Sequence, residues 1–560
     1  MLAVGSFAVG IAIGGTDSKS EAAARFANAW ERQDFTAMHA ELSPQAQAAY
    51  PVEDFTKLYV DAQATATAVR VVTAEPESAE AQSGDAAAFA ATVDTRAFGQ
   101  VMGRVELPLD DEDRIEWEPR LAFPGLLPGE ELARETTLAE RAPLLANDRT
   151  PLAEGPASSR TSALGPAALA IAGALGSPSR KQERALYALG FPPDSLAGTS
   201  GLELAFNTQL AGQPSGELLA RSAETSEGDR TLASGNPTPG KPVRTTIDPE
   251  IQSATVAALG DQYGGVAVLD ATTGDVKGVA GLAFSSPQPP GSTFKIITAT
   301  AALDAGVAEL TDEYPVETSN TLIGREISNA HDSPCGGSLV ESFADSCNTV
   351  FAPLGVEVGA EKLTDKAELF GFNSPPSLAV EDSLEALSPP ASTFPAVDGD
   401  VALGESSIGQ GQVLATPLEM ASVAQAIAND GVREPTSIVA TKALRPEAES
   451  VEATSPETAA MIEKMMIAVI GSGTGTSAQI PGVQVAGKTG TAELGPAALA
   501  PGQVLEPGES PPQTENAWFT AYAPVSKPKL AIAVMLIDAQ GGGGTVAAPI
   551  AREIFASELG

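Results

Sequence analysis

The sequence predicts a multidomain α+β protein. Its 560 residues suffice for about three domains at roughly 100–200 residues each. Apolar residues make up 43% of the chain, enough for packed cores and too many for a wholly disordered polymer. Strand-like runs stand at both ends of the segment from Val243 to Gly560, with helix-like runs between them. That order predicts one sheet completed by segments far apart in the chain.

The elements follow in order. Residues Leu2 to Gly15 are apolar and uncharged. They are short of the roughly 18–20 residues a spanning helix needs. They are read as the remnant of a membrane anchor, residues 1–15, with the rest of the chain on one side of the membrane; a buried strand or helix is the alternative. Residues 16–122 predict a small α+β domain. Ala23, Phe26, Ala27 and Trp30 recur at helical spacing, whereas AAAFAATVDTRA and QVMGRVELPL read as strands before the acidic turn Asp110–Asp113. Residues 123–242 are rich in Ala, Pro, Gly and Ser. One helix is expected there, at 180–190, stopped by Gly190 and the prolines Pro192 and Pro193. The polar stretch 222–242 reads as an exposed hairpin or linker. In the last domain, 243–560, VAVLD (266–270) and VKGVAG (276–281) predict a hairpin. WFTAYAP (518–524) and KLAIAVMLID (529–538) predict two strands, and 551–559 a closing helix.

Charge and rare residues exclude several functions. The chain carries 33 basic and 72 acidic side chains, a net charge of −39. This argues against nucleic acid as the main partner, since phosphate binding needs clustered Lys and Arg. The two histidines, His39 and His331, and the two cysteines, Cys335 and Cys347, exclude a His-rich metal site and a four-cysteine zinc site. A catalytic histidine is possible only at those two positions, and an acid/base enzyme of this composition is expected to use another base.

Three short motifs carry chemistry. In Pro290-Gly291-Ser292-Thr293-Phe294-Lys295, the apolar run Thr293–Ala305 predicts a buried helix with Gly306 as its cap. Ser292 then stands at the helix N-terminus with Lys295 one turn on. A buried lysine is pushed toward its neutral form and can activate a serine; standing alone, however, the pattern favours a plain N-cap serine. Ser346-Cys347-Asn348 follows, with Phe343, Cys347 and Phe351 at helix-like spacing. Lys488-Thr489-Gly490-Thr491 comes last, where alternation at Val483 and Val485 predicts a strand entering Gly487. Its glycines would let a ligand backbone approach. Each motif alone is weak. They stand about fifty and about 140 residues apart, in the order of a closely similar known trio.

On these residues the chain resembles the class B penicillin-binding transpeptidases. TTIDPEIQSATVAAL (245–259), SIGQGQVLATPLEMA (407–421) and NAWFTAYAP (516–524) match patterns of that family's catalytic domain. GTSGLELAFNTQLAGQPSG (198–216) is similar to its pedestal signature. Residues 16–122 resemble, more weakly, its nuclear-transport-factor-2-like leader. The resemblance implies a serine β-lactamase/transpeptidase-like fold, an antiparallel sheet flanked by helices, preceded by pedestal and leader domains. It implies that Ser292 attacks the penultimate D-Ala of a peptidoglycan stem peptide and Lys295 takes its proton. Ser346 and Lys488 pass a proton to the leaving amine, and Asn348 binds substrate or orients Lys295. Thr489 and Thr491 hold the substrate carboxylate beside Gly490, with Lys488 adding positive potential. The N–H groups of Ser292 and Thr491 form the oxyanion hole. β-Lactams would acylate Ser292, and no metal or cofactor is required. Partners would be stem peptides and other cell-wall synthesis proteins, with the catalytic domain outside the cytoplasmic membrane.

Three departures accompany the likeness. Asn516 stands where many relatives carry histidine, and no catalytic role attaches to it. Cys347 replaces the middle Asp; if the domain is extracytoplasmic, Cys335 and Cys347 form either a disulfide or a pair of buried thiols. The Pro/Gly-rich loop 496–515 is expected to overhang the site. Two other functions compete: a D,D-carboxypeptidase or β-lactamase using the same nucleophile, and a catalytically idle scaffold.

Overall fold

The computed structural model describes residues 18–81, 84–222, 229–322, 324–376, 378–379, 389–496 and 513–560. The expected anchor and most of the 496–515 loop therefore lie outside the described residues. Contacts divide the chain into two compact units.

The first unit comprises residues 1–141, 177–196 and 211–241. The helix read at 20–30 spans Ser18–Glu31, and three more helices follow: Phe35–Ala40, Pro44–Ala49 and Val52–Ala66. The two expected strands are Gly84–Thr95 and Gly99–Pro108, paired antiparallel. Trp30, Tyr59, Phe55 and Trp117 form an aromatic core, edge-to-face at Trp30–Tyr59 and Phe55–Trp117 and tilted at Phe55–Tyr59. Two of the polar tips are paired: Trp117 Nε1 donates to Tyr59 Oη, which donates to the Leu121 carbonyl, whereas Trp30 Nε1 is buried without a partner among the described residues. The helix expected at 180–190 is Arg180–Ala188, opened by a Ser179/Gln182 capping box. Gly190 just beyond it takes φ +105°.

The second unit comprises residues 142–176, 197–210 and 242–560. Residues 123–242 are thus shared between the two units. The centre of the second unit is a five-stranded sheet in spatial order Val276–Gly281, Gly264–Asp270, Leu530–Ala539, Gln513–Ala523, Ala486–Pro496. All its pairings are antiparallel. Distant segments do complete one sheet. The Leu530–Ala539 strand is buried over its first seven residues, so helices cover both faces there. Among the helices packed on this sheet are Pro249–Leu259, Pro417–Ala428 and the terminal helix Gly543–Leu559.

Three local readings need correction. The motif helix does not start at Thr293: Gly291–Phe294 is a 3₁₀ turn, and the α-helix runs from Lys295 to Asp304. The spacing of Phe343, Cys347 and Phe351 does not mark one helix. Helices Leu339–Ala344 and Asn348–Val358 are separated by a break in which Ser346 takes φ +65°. Apolar spacing does not register a break of this kind, because both helices bury their phenylalanines in the same core. Finally, the strand does not merely lead into Gly487. It begins at Ala486 and contains the Lys488–Thr491 motif.

Candidate active site

The three motifs meet at one end of the sheet. Ser292 sits in the 3₁₀ turn, half-buried. The turn is possible because Gly291 takes φ +53° and carries no Cβ: a Cβ there would lie 2.5 Å from the Thr491 carbonyl oxygen. One at Gly490 would lie 2.6 Å from the Pro290 carbonyl oxygen. Glycine at both positions lets the Ser292 turn lie backbone-to-backbone on the motif strand.

Lys295 opens the apolar helix and is fully buried. Its Nζ donates to the Ser346 carbonyl at 2.6 Å, to Asn348 Oδ1 at 2.6 Å and to Ser346 Oγ at 3.3 Å. Burial first, and then the charge of Lys488, hold its pKa well below the usual lysine range. Lys488, also fully buried, donates to Ser346 Oγ at 2.8 Å and to the Thr489 carbonyl at 3.1 Å. Burial brings its pKa down to about 7, against a smaller opposing pull from Asp345. Aromatic faces lie near both amines, Phe351 by Lys295 and Phe343 by Lys488.

The left-handed φ of Ser346 turns its hydroxyl between the two amines. A non-glycine residue there costs roughly 1–2 kcal/mol, and such strain gathers at functional sites. The turn is clamped on both sides. Cys347 is disulfide-bonded to Cys335, with Cα atoms 5.4 Å apart. Asn348 Nδ2 donates to the Ser328 carbonyl at 2.9 Å, leaving its oxygen for Lys295. Ser292 Oγ makes no hydrogen bond with Lys295; the lysine instead faces Ser346 and Asn348.

Thr489 Oγ1 shares a 2.6 Å hydrogen bond with Thr474 Oγ1. Thr474 also reaches the Ala344 carbonyl. Thr474 lies in a Gly/Ser/Thr-rich connection that reads, from the sequence, as an ordinary loop. Thr491 is packed beside Gly542, whose missing Cβ would stand 3.0 Å from Thr491 Oγ1. His39 lies in the other unit, where its Nε2 meets the Tyr50 carbonyl.

The family described as penicillin binding protein transpeptidase domain matches residues 264–556. The family described as NTF2-like N-terminal transpeptidase domain matches residues 18–130. The chain is 33% identical over 435 residues to the peptidoglycan D,D-transpeptidase PbpA of Mycolicibacterium smegmatis, covering 67% of this chain and 81% of that protein. The crystal structure of PBPA from Mycobacterium tuberculosis superposes with a TM-score of 0.58 at 27% identity, covering 75% of this chain and 100% of that one. A ceftriaxone acyl-enzyme complex of the same M. tuberculosis protein aligns with a TM-score of 0.58 at 27% identity, covering 75% and 99%.

Proposed function

The chain belongs to the penicillin-binding protein transpeptidases and is a serine peptidoglycan D,D-transpeptidase, and we propose that Ser292 is its nucleophile. The observation that carries the assignment is the placement of one hydroxyl, Ser346 Oγ, between two buried amines, Lys295 and Lys488. Ser292 Oγ attacks the penultimate D-Ala carbonyl of a stem peptide while Lys295, kept neutral by burial, takes its proton. That Ser292–Lys295 hydrogen bond forms on substrate binding, since catalytic hydrogen bonds are commonly completed only in the bound complex. Ser346 and Lys488 hand a proton to the departing D-Ala amine. Asn348 holds Lys295 in place through its Oδ1. Backbone N–H groups of Ser292 and Thr491 stabilise the oxyanion. Thr489 and Thr491 receive the substrate carboxylate, and Gly490 keeps the strand close to the ligand. The amine of a second stem peptide then resolves the acyl-enzyme into a cross-link, and β-lactams acylate the same serine.

Residues 16–122, 123–242 and 243–560 act as leader, pedestal and transpeptidase, with 1–15 anchoring them to the cell membrane. Among the described residues no helix is long and apolar enough to cross a membrane. The disulfide supports an extracytoplasmic catalytic domain, since such bonds persist in oxidising compartments.

A fluorescent penicillin tests the reading. The label attaches covalently and persists on the unmodified chain, and Ser292→Ala abolishes it. Rapid loss of label would point to a β-lactamase. An unlabelled wild-type chain would point to a scaffold.

A further inference from the structure

We propose that Gln288 and Asn516 form a positioning pair that sets the gap between the N–H groups of Ser292 and Thr491, and through it the strength of the oxyanion hole. The inference rests on the assignment of that hole above.

Asn516 sits at an irregularity in the Gln513–Ala523 strand, where the register against Leu530–Ala539 shifts between Glu515 and Ala517. Bulges beside active sites re-aim side chains. Asn516 is fully buried. Its Nδ2 donates to Gln288 Oε1 at 3.1 Å, and its Oδ1 accepts from the Asp538 N–H at 3.4 Å. On the motif strand its register partner is Ala492, next to Thr491. One side chain therefore touches the strand pair that carries Thr491 and the loop that carries Ser292.

That loop is held elsewhere by its backbone. Gln288 exchanges hydrogen bonds of 2.9 and 2.8 Å with Ala415, and the Gly291 N–H donates to the Gly409 carbonyl at 2.9 Å. These bonds fix the loop to the 409–415 segment. Toward the motif strand, Pro290 and Gly291 meet Gly490 and Thr491 as hard steric stops. Steric stops resist approach but not separation. The Gln288–Asn516 bond resists separation, four residues from the nucleophile. A purely structural role, in which Asn516 only satisfies its own buried amide, predicts lost stability without a change at the reacting carbonyl.

The test uses the full chain with Gln288→Ala, Asn516→Ala, the double variant and Gln288→Glu. Acylation by penicillin G is resolved into binding and limiting rate. Thermal midpoints are recorded, and the acyl-enzyme carbonyl stretch is read by infrared difference spectroscopy. Each alanine variant is expected to slow the limiting rate about tenfold, within the range that small misplacements cost, with binding unchanged. The carbonyl band moves to higher frequency as the hole polarises it less. The double variant is no slower than the worse single, because both remove one bond. Gln288→Glu stays within about twofold of the unmodified chain, since a carboxylate accepts the same hydrogen bond. An unmoved carbonyl band, or rates that merely follow the thermal midpoint, would overturn the proposal. If buried Asn516→Ala fails to fold, half-buried Gln288→Ala and its Glu counterpart decide alone. Persistent label on Ser292→Ala would instead remove the nucleophile assignment itself, a separate outcome.

Discussion

Lys488 Nζ donates to Ser346 Oγ over 2.8 Å across 142 residues of sequence, and Lys295 approaches the same oxygen from the other side. A single hydroxyl thus bridges two amines that burial has made poor cations. Ser346→Ala removes the bridge and leaves both lysines. Its acylation by a penicillin is expected to fall about 10²–10³-fold, the usual size of a proton-transfer contribution. Stopped-flow labelling measures it, and a fall of less than about threefold would exclude the relay.

Ser346 is strained at φ +65°. Glycine relieves that strain and alanine does not. Ser346→Gly is expected to be more stable than Ser346→Ala by about 1 kcal/mol, although both lose the bridging hydroxyl. Urea unfolding of the two variants decides, and equal midpoints would show that the turn stores no strain.

The lysines make stability depend on pH. Unfolded, both keep their protons to about the ordinary lysine value of 10.5; folded, Lys488 releases its proton near pH 7 and Lys295 well below the usual range. Between about pH 7 and 10.5 the unfolded chain binds more protons, so these groups make unfolding harder as pH rises. Lys488→Met should show a shallower rise across this window than the unmodified chain. Urea titrations at pH 7 and pH 9.5 compare them, and parallel curves would argue for an ordinary lysine. Acylation should fall above about pH 7, as Lys488 loses the proton it hands toward the leaving amine.

Gly291→Ala places a Cβ 2.5 Å from a backbone oxygen and asks alanine to hold φ +53°. Neither neighbour is a flexible side-chain end. The variant is expected to lose about 2 kcal/mol or more and most penicillin labelling. Normal labelling and midpoint would mean the turn sits further from Thr491 than it does here.

Removing the Cys335–Cys347 bond frees a loop of 12-residue separation. Cys335→Ala with Cys347→Ala should cost about 3 kcal/mol. Non-reducing peptide mass spectrometry should first find the two cysteine peptides joined; alkylated thiols at both positions would remove the premise.

Much of the site was legible because its chemistry depends on residue types at short spacings. Ser292 and Lys295 are three apart, Ser346 and Asn348 two apart, and Lys488 to Thr491 contiguous, so local order preserves each motif. The hairpin at 266–281 and the late strands were legible from alternation. Thr474 was not, because a threonine in a glycine-rich connection carries no periodic signal. Gln288 and Asn516 lie 228 residues apart, and nothing in either neighbourhood points to the other. The helix break at Ser346 was hidden because both flanking helices bury residues in one core.

What the sequence by itself determined was the inventory: a serine, two lysines and the glycines that allow close backbone approach, each in a locally coded segment. What only the tertiary structure decided was which atoms face one another. That Lys295 turns to Ser346 and Asn348 rather than Ser292 follows from a left-handed turn clamped by a disulfide. That the lysines lose their protons easily follows from burial between helices and sheet. Both depend on contacts distant in sequence, and electrostatic and steric terms act through space, not along the chain.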